Sequence, residues 1–137
     1  MKYLLDTSAW YLGIAEPETV PHEIQQILDS PNLLFGLSAI SLWEIGKKHQ
    51  IGKMKLNREL GAWLKEALGF HIHVLPLTPE IVTDAMSLPG FPNRDPADEL
   101  IVATARVHKL TLLTTDTLLK NYRHARIHYF KPVMLKN

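Results

Sequence analysis

Residues 95–108 read Asp95-Pro-Ala-Asp-Glu-Leu-Ile-Val-Ala-Thr-Ala-Arg-Val-His108, and the spacing predicts a helix over Pro96–His108. Asp followed by Pro is a strong helix start. The aspartate accepts from free amides, and proline fits the first helical position because its missing N–H would be unpaired there anyway. At helical spacing Asp98, Ile101, Val102 and Ala105 share one face. Three of these four are apolar, so that face is expected to pack into a core. The helix dipole favours an acid at the position of Asp98, but a dipole role does not require the buried stripe. Asp98 is therefore a candidate ligand, whereas Glu99, on the face of Arg106, reads as the solvated acid.

Outward from this helix the chain alternates short apolar runs with amphipathic ones. Strands are expected at residues 2–5, 33–37, 71–75 and 110–114. Helices are expected from Thr7, at 21–28, at 42–50 with Ser38 or Ser41 as N-cap, at Leu60–Leu68, after Thr78-Pro79, and at 117–122. Pro17 and Pro21 bracket the start of the second helix, and residues 89–93 form a loop. Strands and helices alternating at these lengths indicate an α/β fold with a parallel sheet. With no internal repeat and no linker composition, residues 1–137 are expected to form a single domain.

The composition excludes several classes. The chain of 137 residues is 46% hydrophobic and 21% charged, with net charge +1, so a folded domain is expected rather than a disordered or strongly basic one. Absence of cysteine excludes disulfides and thiolate metal sites and suits a reducing, cytoplasmic setting. Asp6 interrupts the opening apolar run, which makes a poor signal peptide. No apolar run approaches the roughly 20 residues that span a bilayer. A polyanion must therefore be met through local charge or metal.

Four carboxylates occupy corresponding places. Asp6 and Asp116 follow predicted strands, and Glu44 and Asp98 lie in the first turns of predicted helices. In a doubly wound sheet all four fall at the carboxyl edge, where such folds place ligands. Carboxylates gathered there resist ionisation unless a cation neutralises them. An oxygen-only set favours Mg²⁺ or Mn²⁺ over zinc. Metal-assisted phosphodiester hydrolysis is the implied reaction class. Each acid also has a structural explanation. Asp6 and Asp116 are plausible N-caps, and Asp95 is the expected cap of its helix. Glu44 completes a Ser41-Leu-Trp-Glu44 capping box and pairs with Lys48 at i,i+4.

The residues resemble a known family. Leu4-Leu5-Asp6-Thr7-Ser8-Ala9 looks like the opening motif of the PIN domain, and the stretch from Ser38 to Ile45 resembles its second. Arg94-Asp-Pro-Ala-Asp98 resembles the third, and Leu113-Thr-Thr-Asp116 the fourth. Among PIN domains the chain is most similar to the VapC-like ribonuclease toxins of type II toxin–antitoxin systems. The four acids appear in the family order, although Ala97 and Glu99 stand where Phe and Arg are frequent. The resemblance implies a three-layer α/β/α sandwich around a parallel sheet of about five strands. It implies Mg²⁺- or Mn²⁺-dependent endoribonuclease activity, homodimerisation, and a small antitoxin whose tail occupies the groove around the site. It also implies that Asp6 and Asp98 are core metal ligands, with Glu44 and Asp116 completing the acidic pocket.

Lys47, Lys48, Lys53, Lys55 and Arg58 form a basic run without an intervening acid. The run is either a solvated helix face or an RNA backbone contact, for which Lys47 and Lys48 are candidates. Arg94 and Arg106 flank the third motif, where they meet phosphate or pair with Glu99 and Asp95. Thr7, Ser8, Thr114 and Thr115 lie beside the acids, and Thr7 and Thr115 are candidate substrate contacts. His71 with His73, and His124 with His128 at i,i+4 spacing, lack a third ligand. Trp10, Trp43 and Trp63 read as core or dimer-interface residues rather than base-stacking platforms. The alternatives are a housekeeping PIN nuclease of RNA processing and a catalytically silent partner-binding module. A phosphatase of the haloacid-dehalogenase type is disfavoured because Asp6-Thr7-Ser8 supplies only one Asp.

Overall fold

The computed structural model of the protein describes residues 1–93 and 95–134; Arg94 lies outside them. The strands are β1 (Tyr3–Leu5), β2 (Phe35–Ser38), β3 (Ile72–Leu75), β4 (Thr111–Thr114) and β5 (Arg126–Tyr129). All pair in parallel, in the order β3-β2-β1-β4-β5. The helices are α1 (Thr7–Ala15), α2 (His22–Leu28), α3 (Ala39–Gln50), α4 (Leu60–Leu68), α5 (Pro79–Ala85) and α6 (Pro96–His108).

The period-two alternation of strand side chains divides the core into two layers. Tyr3, Leu5, Phe35, Leu37 and Leu113 point to one face, where they meet Trp10 of α1, Ile24 of α2 and Trp63 of α4. Leu4 and Leu112 point to the other and meet Ile101, Val102 and Ala105 of α6. α5 packs on the back of α6 through Ile81, Ala85 and Ala103. The result is the expected α/β/α sandwich around a five-stranded parallel sheet. β1 and β4 are buried on both sides and therefore read as plain apolar runs.

Several local expectations are corrected. β5 is an edge strand whose Arg126-Ile-His-Tyr129 sequence is exposed or half-buried, so it carries no apolar run to betray it. His128 consequently lies on a strand and His124 in the preceding turn, without helical spacing between them. The capping box at Ser41 does not form. α3 starts at Ala39 with Ser38 as N-cap, its Oγ accepting from the Ile40 amide at 3.3 Å, which places Ser41 inside the helix. Residues 117–122 contain a short 3-10 turn, Thr117–Leu119, in place of a longer helix. Arg106 pairs with neither Glu99 nor Asp95; its Nε lies 2.8 Å from Asp84 Oδ2.

The sheet order creates a switch point. From β1 the chain moves outward through β2 and β3, then returns to add β4 and β5 on the other side of β1. The loops leaving β1 and β4 therefore diverge and open a crevice at the carboxyl end of the sheet. Packing of α6 fixes how Asp98 addresses that crevice. Ile101→Ala should destabilise the fold by about 2–5 kcal/mol, measured by urea unfolding, because Ile101 is 2% exposed at the centre of the α6 stripe. Asp98→Asn, one turn earlier on the same stripe, should not destabilise it.

Candidate functional site

The crevice gathers the predicted acids. Asp6 is the first residue after β1 and caps α1, its Oδ1 accepting from the Ala9 amide at 2.6 Å. Its Oδ2 accepts from the Thr114 hydroxyl, which in turn accepts from the Asp116 amide at 3.0 Å. Thr114, fully buried at the end of β4, thus ties the two strand-end acids to one another. Asp116 caps the 3-10 turn through Oδ1, with Leu118 N at 2.9 Å. The capping and ligand readings of Asp6 and Asp116 are compatible, because each cap uses Oδ1, and Oδ2, which accepts from Thr114 in Asp6 and from Asn93 in Asp116, keeps a further lone pair.

Glu44 is 5% exposed on α3. The Thr7 hydroxyl donates to Glu44 Oε1 and stands 2.8 Å from Ser41 Oγ; Lys48 Nζ lies 3.7 Å from Glu44 Oε2. Thr7 is therefore engaged with a candidate ligand. Thr115 is turned toward Ser8, Oγ to Oγ at 3.0 Å, while its backbone reaches Asp6. Lys47 is exposed and bonds Gln50 Oε1 at 3.1 Å.

Two residues play parts that local sequence did not assign. Asp95 caps α6, with Oδ1 accepting from Ala97 N at 2.9 Å, as expected. Yet Glu44, Asp95 and Asp98 each also offer a carboxylate oxygen within 4.8 Å of the others, so the cap belongs to the acidic group as well. Asn93 donates from Nδ2 to Asp98 Oδ2 at 3.1 Å and to Asp116 Oδ2 at 3.2 Å, and its Oδ1 accepts from Asp95 N. Its only sequence signal was an asparagine just before a helix start, which turn chemistry explains equally well.

The electrostatics follow from this crowding. Burial raises Asp98 to about 7, helped by the charges of Asp95, Glu44, Asp116 and Asp6. Burial raises Asp6 to about 6 against the opposing hydrogen bonds from Thr114, Ala9 and Thr115, with Glu44 adding to the rise. Acids that oppose one another's ionisation in an oxygen-only cluster are a donor set suited to a hard divalent cation. The fit is chemical: Glu44, Asp95 and Asp98 share the tight group, and Asp6 and Asp116 stand within electrostatic reach.

A strand-end crevice lined by acids on this topology defines a class of protein. Residues 3–125 match the PIN domain family, and the chain belongs to it. Its likeness within the family is to VapC proteins. It is 32% identical over 123 residues to Ribonuclease VapC22 of Mycobacterium tuberculosis, covering 90% of this chain and 93% of that one. The solved structure of VapBC2 from Rickettsia felis, bound to a DNA fragment from their promoter, superposes with a TM-score of 0.73 at 18% identity, covering 96% and 100% of the two chains. FitAcB from Neisseria gonorrhoeae superposes with a TM-score of 0.56 at 28% identity over 84% of this chain and 88% of that one.

The raised acids set a pH dependence. An aspartate in the unfolded chain titrates near 4, whereas Asp6 and Asp98 hold their protons to about 6 and about 7. Between these limits the folded state binds more protons, so stability without divalent cation should fall as pH rises from about 4 to about 7. Asp98→Asn should flatten the upper part of that decline in thermal melts across the same range.

Proposed function

We propose that the chain is an endoribonuclease that hydrolyses RNA phosphodiester bonds with Mg²⁺ or Mn²⁺, acting as the toxin of a type II toxin–antitoxin pair. The observation that carries this reading is the convergence of Asp6, Glu44, Asp98 and Asp116 at the β1/β4 switch point. Similarity to a ribonuclease across nine-tenths of the chain supports the same reading. A small antitoxin is the proposed partner, in keeping with related structures described as VapBC and toxin–antitoxin complexes. A homodimer and a cytoplasmic location complete the proposal. No helix among the described residues is long and apolar enough to cross a membrane.

Asp6 and Asp98, with Glu44 and Asp116, are the proposed cation ligands. A bound divalent cation supplies charge neutralisation, polarisation of the phosphodiester and a lowered pKa for the attacking water. The chain's own contribution is to orient the acids. Thr7 holds Glu44, Thr114 holds Asp6, and Asn93 holds the outer oxygens of Asp98 and Asp116. Lys47 and Lys48, one turn beyond Trp43 and Glu44 on α3, are the proposed contacts to the RNA backbone, and Thr115 to the substrate near the acids.

Total RNA incubated with the protein and Mg²⁺ should yield discrete cleavage ends that vanish with chelator and with Asp98→Asn. Normal cleavage by Asp98→Asn would refute the assignment. Thr7→Val should lower cleavage about ten- to hundredfold, the usual effect of removing a group that orients a metal-bound carboxylate. A cation at a hundred times its Kd should add about 2.7 kcal/mol of stability by binding only the folded state. Asp98→Asn should lose that gain, as read from melting temperature against Mg²⁺ concentration.

A further inference from the structure

The three tryptophans have separated. Trp10 and Trp63 are 1% and 4% exposed and pack edge to face, with ring centroids 5.4 Å apart. Trp43 is 60% exposed, although it precedes Glu44 directly. Ile40, Trp43, Glu44 and Lys47 of α3, with Ile51 just past its end, follow the i, i+3, i+4, i+7, i+11 pattern of one helix face. That stripe and the start of α6, from Asp95 to Ala97 with Leu100, wall a groove of about 570 Å³. Its volume lies within the roughly 300–1,000 Å³ typical of small-ligand sites.

We propose that this groove is a nucleobase site, in which Trp43 stacks an unpaired base of single-stranded RNA next to the scissile phosphodiester. The inference rests on the ribonuclease reading of the adjoining acids and names how that site grips its substrate. Three features carry it. The groove ends on Glu44 and Asp95, two members of the tight acid group, so a base seated in it places its phosphate at the acids. Lys47, Lys48 and Lys53 also line it, matching the charge of a nucleic-acid backbone. An exposed indole offers a large flat apolar surface, and single-strand binders combine such aromatic platforms with cationic tracks. Lys48 already lies 3.7 Å from Glu44, but an apolar polypeptide would use the indole and the isoleucines while offering Lys47 and Lys53 no anionic counterpart. Trp43 is then a specificity-determining residue, because stacking requires a base free of its own helix.

The test uses the Asp98→Asn protein, expected to hold RNA without cutting it, and a mixed-sequence single-stranded oligoribonucleotide of about twelve residues. Binding should quench tryptophan emission in protein that carries Trp43. Trp43→Ala should weaken binding about five- to hundredfold, while Trp43→Phe should retain most of it. The salt dependence of binding should be unchanged in Trp43→Ala. In Lys47→Ala and Lys53→Ala it should become shallower, by about 0.7 in log–log slope for each phosphate that the lysine neutralises. An oligomer with abasic positions should bind Trp43→Ala and the Trp43 protein alike. In the cleaving protein, Trp43→Ala should raise KM and alter the choice of cut sites, with an unchanged melting temperature. Cleavage by Trp43→Ala with the same KM and the same ends would overturn the inference. It would equally be overturned if Trp43→Ala changed only self-association or only capture of a polypeptide partner. Trp43-dependent quenching by RNA in a wild-type protein that cuts no RNA would support the base site and defeat the ribonuclease reading.

Discussion

Burial of carboxylates that also repel one another is the constraint around which one end of this molecule is arranged. Asp6, Glu44, Asp95, Asp98 and Asp116 meet where the loops from β1 and β4 part, and burial weakens the solvent screening that would otherwise separate their charges. The protein meets this load with directed donors. Thr7 addresses Glu44, Thr114 addresses Asp6, the α1, α6 and 3-10 turn amides address Asp6, Asp95 and Asp116, and Asn93 spans Asp98 and Asp116. These donors leave Asp6 and Asp98 still holding protons well above the ordinary carboxylate range. That residual resistance to ionisation is what suits the site to a small, highly charged cation.

The rest of the fold serves that arrangement. Switch-point topology brings residues more than a hundred positions apart, Asp6 and Thr114, into one hydrogen bond. The opposed apolar layers fix α1 and α3 on one side and α6 on the other. Asp6, Asp95 and Asp98 therefore sit at the starts of α1 and α6, and helix starts are favourable places for negative charge. The same geometry exposes Trp43 while burying Glu44. Neighbouring residues on a helix point about 100° apart, so a side chain turned into the crevice leaves its predecessor at the groove.

Much of this was legible in residues taken one stretch at a time. The Asp-Pro start of α6, its apolar stripe and the strand runs that precede Asp6 and Asp116 each have a local cause, and local causes are visible in sequence. The four acids could be placed at one sheet edge because α/β alternation puts strand ends and helix starts on a common side. β5 was not visible: an edge strand half open to solvent needs no apolar run. Nor did the pattern settle the start of α3, because Ser38 and Ser41 are equally good caps until the end of β2 is known.

The sequence by itself determined the α/β alternation, the capping aspartates, the oxygen-only chemistry of the site and the family. Each of these depends on residue type and short-range spacing alone. Tertiary structure alone decided that Asp95 joins the acids it was expected merely to precede, and that Asn93 bridges Asp98 and Asp116. It also decided that Trp43 stands open beside Glu44 while Trp10 and Trp63 close the core. These outcomes depend on which helix faces which across the sheet, a packing relation between distant segments that no local spacing encodes.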